Sequence, residues 1–248
     1  MSISAEERIA AEKWFYRFRL PNGLETQPYG PEELHDNRLN MLLDTLTQEF
    51  GGDWGSLSCL DLACHQGWYA HNLAIRGFGS VLGIDARPSN IESANAIRTV
   101  SGLSNLSFSV TDVNHNGLSA LEPVDVVLMY GLIYHLEDPI GAIRGAAALA
   151  KRLLVIETQV LNFNLTGHID WGTSQYVIPV PGIFGMVDEA DSSNRENGIT
   201  GLALVPSRDG LLWLLRRLGF ATAEVITPPA GAYEQLATGK RIVVVARK

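Results

Sequence analysis

The sequence predicts an α/β fold: a seven-stranded sheet with helices on both faces, the first five strands parallel and the last two antiparallel. Three observations carry that expectation. Short apolar runs at Leu57–Ala63, Ser80–Asp85, Leu106–Thr111, Val124–Tyr130 and Leu153–Glu157 alternate with helical stretches. Strands that are apolar throughout and separated by helices form parallel sheets covered on both faces. Two further strands, Ala223–Thr227 and Arg241–Ala246, are joined by a segment holding Pro228, Pro229 and Gly231. That link is too short for a full helical crossover, so these two strands are expected to be antiparallel neighbours. Finally, 248 residues with 46% apolar content suit one large domain, or one domain with an appendage, around a sizeable core.

The elements follow in order. The first fifty residues read as helical, with Ala5 to Arg19 as a first helix and a break at Pro21-Asn22-Gly23. Pro31 stands at a first helical position with Glu32 and Glu33 near the positive helix end, and Leu39, Leu43, Leu46 and Phe50 form one buried stripe. We therefore divide the chain into an N-terminal helical cap, 1–50, and a main domain, 51–248. Within the latter, Ser89 with Glu92 reads as a capping box, and Asp138-Pro139 as an N-cap with a first-turn proline. Ser207 opens a helix with Leu211, Leu214, Leu215 and Leu218 on one face, which Gly219 closes. The stretch 158–206 is too long for a simple loop and reads as a lid or insert, its Phe163, Trp171, Tyr176, Pro179, Pro181 and Phe184 suiting a packed cover.

Charge and composition exclude several functions. There are 19 basic and 27 acidic side chains, a formal charge of −8, and 19% charge is too little for a disordered chain. The acidic balance disfavours broad binding to a phosphate backbone. No apolar stretch approaches the ~20 residues that span a bilayer, and the opening residues lack a signal-peptide apolar region, so a cytoplasmic protein is expected. Cys59 and Cys64 have an odd separation, which on one strand points them to opposite faces, and no spacing suggests a metal site.

The residues that could carry chemistry gather at strand ends. The first strand ends in Asp61-Leu62-Ala63-Cys64-His65-Gln66-Gly67, and Trp68-Tyr69 open a helix whose free N–H groups would meet a ligand there. A pyrophosphate usually demands several glycines at such a turn, and this one offers Gly67 alone, with Ala63 and His65 at the other positions. A dinucleotide is thereby disfavoured. Asp61 could receive a positively charged amino group. Asp85, at the second strand end, could accept from a ribose diol, and Asp112, at the third, from an adenine amino group. Three carboxylates on the edge where open parallel sheets bind ligands form a stronger signal than any one of them. The fourth run, Asp125 to Pro139, adds Gly131, where backbone could approach a ligand, and Tyr134 and His135 just beyond the strand.

The strand-end acids and the run Gly131-Leu132-Ile133-Tyr134-His135-Leu136-Glu137-Asp138-Pro139 resemble class I S-adenosylmethionine-dependent methyltransferases. Within them, they are most similar to the branch that holds the tRNA wobble-uridine carboxymethyltransferase. The resemblance covers Leu57 to Glu157 and continues more weakly through Ser207–Phe220 and Gly239–Lys248. It implies a Rossmann-like sheet and S-adenosylmethionine as cofactor. Asp61, Ala63, His65 and Gly67 would then cradle the methionine end, Asp85 and Ala86 the ribose, and Asp112 and Val113 the adenine. Tyr130, Tyr134 and Arg241 would face the transferred group, with Tyr130 and Gly131 among the cofactor contacts. Ala63 and His65 depart from the glycine-rich turn of that family.

The expected activity is in-line methyl transfer to a small-molecule acceptor, without a metal. It depends on alignment more than on a strong acid. His135 is the candidate base, since an unperturbed imidazole titrates near ~6.5, with Tyr134 beside it. Tyr16, from the aromatic group Trp14 to Phe18, together with Trp171 and Arg241, is the candidate acceptor contact. Other readings stay open: carboxymethyl transfer to tRNA wobble uridine from carboxy-S-adenosylmethionine, with Arg241 as the cation, although the acidic charge disfavours tRNA; an NAD(P)-dependent oxidoreductase; and a catalytically silent binding protein. The oligomeric state is left open.

Overall fold

The computed structural model describes residues 4–114, 117–170, 177–190 and 196–248. Its helices are α1 (Ala5–Ala11), α2 (Glu32–Phe50), α3 (Trp68–Ile75), α4 (Pro88–Ser101), α5 (Pro139–Leu149), α6 (Arg208–Arg217) and the short α7 (Glu234–Ala237). Strands β1 (Ser58–Leu62), β2 (Ser80–Asp85), β3 (Leu106–Val110), β4 (Val124–Tyr130), β5 (Ala150–Gln159), β10 (Thr222–Val225) and β11 (Arg241–Arg247) form one sheet in the order β10-β11-β5-β4-β1-β2-β3. β1 to β5 run parallel, and β11 lies antiparallel between β5 and β10. The α/β fold of the sequence reading is therefore present, down to the antiparallel final pair.

The strands are buried on both faces. On one side Cys59, Val126 and Leu128 pack with Leu42 and Leu46 of α2, Leu73 of α3 and Ile97 of α4. On the other Leu60, Val127 and Met129 meet Ile143 of α5 and Leu211 and Leu215 of α6. Strand order reverses between β1 and β4, which opens a crevice at their carboxyl ends where ligands of such sheets bind.

Several caps match their sequence signals. The Asp138 carboxylate accepts from Gly141 N at 2.8 Å, and Ser207 Oγ from Gly210 N at 3.3 Å. The Ser89–Glu92 box does not form: Pro88 takes the first helical position after Arg87, so Ser89 already lies within α4. The first helix is also shorter than expected. It ends at Ala11, and residues 13–30 form an irregular strap bridged at Trp14–Pro28 and Arg19–Glu25. The reason lies in the period. Trp14, Tyr16, Phe18 and Leu20 are buried in strict alternation, the pattern of an extended chain rather than a helix. Thr26 fixes it, its hydroxyl accepting from Phe18 N at 2.7 Å and donating to Tyr16 O at 2.8 Å.

Beyond β5, which runs through Thr158 to Gln159, come two antiparallel pairs, β6 (Gly167–Asp170) with β7 (Val177–Val180) and β8 (Phe184–Asp188) with β9 (Leu202–Pro206). Trp171, Tyr176 and His115 lie outside the described residues. Both cysteines are free and buried. Among the described residues no helix is long and apolar enough to cross a membrane, and no group of three or more His, Cys, Asp or Glu could hold a metal ion.

Candidate functional site

The turn after β1 is bent by backbone that glycine would adopt more easily. Ala63 and His65 both have φ of 53°, and Gly67 has φ of 81°. A left-handed conformation costs an L-residue of this kind roughly 1–2 kcal/mol. What holds it is Asp85, whose Oδ2 accepts from His65 N at 2.9 Å while Oδ1 accepts from Arg87 N at 2.9 Å and Asn90 Nδ2 at 3.1 Å. Gly67 is required for space as well as for φ, because a Cβ there would stand 2.5 Å from the Phe108 ring.

Six of the sequence-predicted residues share one hollow at the carboxyl edge: Ala63, Asp85, Ala86, Asp112, Val113 and His135 line a cavity of about 80 Å³. Its roof is Glu196 to Thr200, between β8 and β9. That roof is tied down by the backbone carbonyl of Asn197, which accepts from Arg87 Nη2 at 2.7 Å, and by Glu189. The Glu189 carboxylate accepts from His135 Nδ1 at 2.8 Å and from Gly198 N at 2.9 Å. Burial lowers the His135 pKa and Glu189 partly offsets it. An adjoining cleft of about 830 Å³ includes His65, Gln66, Arg87 and Ser93. There His65 Nε2 lies 3.3 Å from Glu196 Oε2.

Asp61 sits deeper. It is 1% exposed, accepts from Ala70 N at 3.2 Å, and burial pushes its pKa up to about 7. Tyr16, Tyr130, Gly131, Tyr134 and Arg241 gather around a buried ion cluster that sequence reasoning missed. Arg38 of α2 lies 2.5 Å from Glu157 at the end of β5, and Arg241 Nη1 donates to the other Glu157 oxygen at 2.9 Å and to Tyr134 OH at 3.1 Å. Burial is the largest influence and opposes the charge of both arginines, but Glu157 and the neighbouring tyrosines together outweigh it and their pKa values rise. The Arg38 guanidinium also lies over the Tyr69 and Tyr130 rings, at 5.4 and 5.5 Å. A Cβ on Gly131 would come within 2.9 Å of Arg38 Nη2, so the glycine makes room for the cation. Tyr16, its pKa raised by burial, stacks on Trp68 at 5.3 Å and belongs to the wall of this cluster.

Two of the missed residues had a signal. Arg38 falls between Leu34 and Leu42 on the apolar face of α2, and Glu157 directly follows the apolar run Leu153–Ile156 toward the ligand-binding edge. Glu189 had none, because its place depends on how the insert folds back.

Comparison with known proteins bears on this geometry. Residues 55–172 match a family described as a methyltransferase domain. Over 101 residues the chain is 34% identical to a tRNA U34 carboxymethyltransferase of Desulfotalea psychrophila, a stretch covering 40% of this chain and 31% of that relative. A ubiquinone biosynthesis O-methyltransferase of Vibrio campbellii is 26% identical over 193 residues, covering 71% of this chain and 78% of the relative. Among solved structures, the N-terminal domain of EvdMO1, determined in the presence of SAH and D-fucose, superposes with a TM-score of 0.70 at 23% identity, covering 98% of this chain and 94% of that one. The magnesium protoporphyrin IX methyltransferase of Synechocystis PCC 6803 with bound SAM gives 0.56 at 15% identity, over 86% and 79% of the two chains.

Proposed function

We propose that this chain, a class I methyltransferase by the architecture of its sheet and by the domain at residues 55–172, uses S-adenosylmethionine to methylate a small-molecule acceptor. The observation that carries the reading is the meeting of Ala63, Asp85, Ala86, Asp112, Val113 and His135 around one hollow at the switch point of the sheet. The residues suit an adenosyl ligand. A carboxylate has about four acceptor positions. Asp85 gives three to the turn, to His65 N, Arg87 N and Asn90 Nδ2, which leaves one for a ribose hydroxyl. Asp112 stands at the end of β3 for the base, with Val113 and Leu132 as the apolar wall. The cofactor supplies the electrophilic methyl group. The hollow itself is about 80 Å³, below the ~300 Å³ at which ligand pockets begin, and it shares Ala86, Arg87 and Glu196 to Thr200 with the adjoining cleft of about 830 Å³.

The chain's own contribution is alignment and exclusion of water. Holding acceptor and donor in near-attack geometry is worth roughly 7–11 kcal/mol. His135 keeps its Nδ1 on Glu189 at the border between the hollow and the cleft beyond β5, and burial lowers its pKa. One observation favours a second reading of the donor. Arg38 and Arg241 oppose a single Glu157, and the surplus positive charge beside Tyr134 would suit a donor bearing an extra carboxylate. Mass spectrometry of the co-purified nucleoside separates methyl from carboxymethyl donor.

The test of the main reading is calorimetry with S-adenosylhomocysteine. Loss of a hydrogen bond to a charged group costs roughly 1.5–3 kcal/mol, so Asp85→Ala is expected to bind about 10- to 150-fold more weakly. Unchanged affinity would remove Asp85 from the site.

A further inference from the structure

Tyr134 and His135 are adjacent in sequence, with ring centroids 4.1 Å apart, yet they serve different spaces. His135 lines the small hollow with Asp85 and Asp112. Tyr134 lines a separate cleft of about 370 Å³ beyond the end of β5, together with Gln159, Asn162, Glu189, Gln235 and Lys240. Glu189, bonded to His135, thus borders the cleft and braces the wall toward the hollow. The cleft is large enough for a compact ligand.

Its lining specifies the ligand's chemistry. Three of the six polar side chains are primary amides, which donate and accept together, as hydroxyl groups do. Gln235 Oε1 accepts from Arg241 Nε at 3.1 Å, which turns its NH2 to other partners. Tyr134 OH accepts from Arg241 Nη1, which leaves its own proton to donate. The two charged groups, Glu189 and Lys240, are of opposite sign, so a net charge on the ligand is not selected. The rest of the wall is valine and leucine, and among the described residues Tyr134 supplies its one aromatic ring, so a flat aromatic ligand has no pair of faces to stack between.

We infer that this cleft is the acceptor site and that the acceptor is a compact, uncharged molecule bearing several hydroxyl groups. The inference rests on the methyltransferase reading for the word acceptor, but the binding it asserts can be measured alone.

The experiment is saturation-transfer NMR on the full chain with methyl β-D-glucopyranoside, myo-inositol and catechol as probes, with and without S-adenosylhomocysteine. The expected result is transfer to at least one polyol, reduced fivefold or more in Gln235→Leu and in Asn162→Leu. Asn162 is exposed, so the second variant cannot fail through loss of core. S-adenosylhomocysteine affinity in both variants should stay within twofold of the unaltered chain. Transfer to catechol alone, or polyol transfer that survives both substitutions, would overturn the inference. Absent S-adenosylhomocysteine binding with polyol transfer intact would instead strike the methyltransferase reading and leave the cleft's chemistry standing.

Discussion

Ala63 and His65 are the residues at which this chain departs from a glycine turn, and both are held at φ of 53°. Replacing alanine by glycine usually lowers stability by roughly 0.5–1 kcal/mol through backbone entropy, whereas left-handed alanine carries a strain of roughly 1–2 kcal/mol. Ala63→Gly is therefore expected to leave stability unchanged or raise it by about 1 kcal/mol in urea denaturation. A loss of that size would mean that the turn is unstrained. Asp61 offers a test with a sign. Its folded pKa, about 7, lies above the usual carboxylate value of 3.8, so the folded state binds the proton more tightly. Stability gained from that proton appears as pH falls from about 7 toward 3.8, and the buried charge opposes folding above it. Asp61→Asn should accordingly be more stable than the unaltered chain at pH 8, with the advantage shrinking by pH 4. A gap independent of pH would show that the carboxyl is not desolvated.

Elements were legible wherever one periodicity acted alone. The bounds of β2 and β4 follow from apolar runs, and α5 and α6 from their caps. Residues 13–19, expected to continue the first helix, are extended instead, because Trp14, Tyr16 and Phe18 alternate inward and are fixed by distant contacts from Thr26 and from Gln66, whose Oε1 accepts from Phe15 N at 2.8 Å across 51 positions. Asp85 and Asp112 were legible for a similar reason, since register carries the ends of parallel strands to one edge, whereas Asp61 lies inside β1 and sits deeper. Glu189 and the cleft beyond β5 were not, since they arise from the path of the insert. Ser207 joins that insert to α6. Its buried hydroxyl accepts from Gly210 N at 3.3 Å and from Ile183 N at 3.0 Å. Ser207→Ala should cost about 1–2 kcal/mol, as loss of an N-cap does, read as a lower thermal midpoint. A midpoint shift under 1 °C would show that neither bond contributes.

At the scale of the whole molecule, the Arg38–Glu157–Arg241 cluster joins α2, strand β5 and the neighbouring strand β11. All three side chains are at most 7% exposed. Breaking a buried ion pair by removing one partner costs roughly 3–5 kcal/mol, because the remaining charge is left uncompensated. Glu157→Gln strands two guanidiniums and should destabilise the chain by at least that much in denaturant titration, while Glu224→Gln, at an exposed ion pair, should change stability by less than about 1 kcal/mol. Equal small effects would remove the cluster as a structural keystone. The position of β11 between β5 and β10 also bears on biosynthesis. About eighty residues must leave the ribosome after β5 before its open flank is zipped shut. Until then the nascent polypeptide presents a bare strand to other chains and a carboxylate still missing one of its two counter-ions. Arrest of translation ahead of Arg241 would release a product with the β5 edge unpaired and Glu157 neutralised on one side alone.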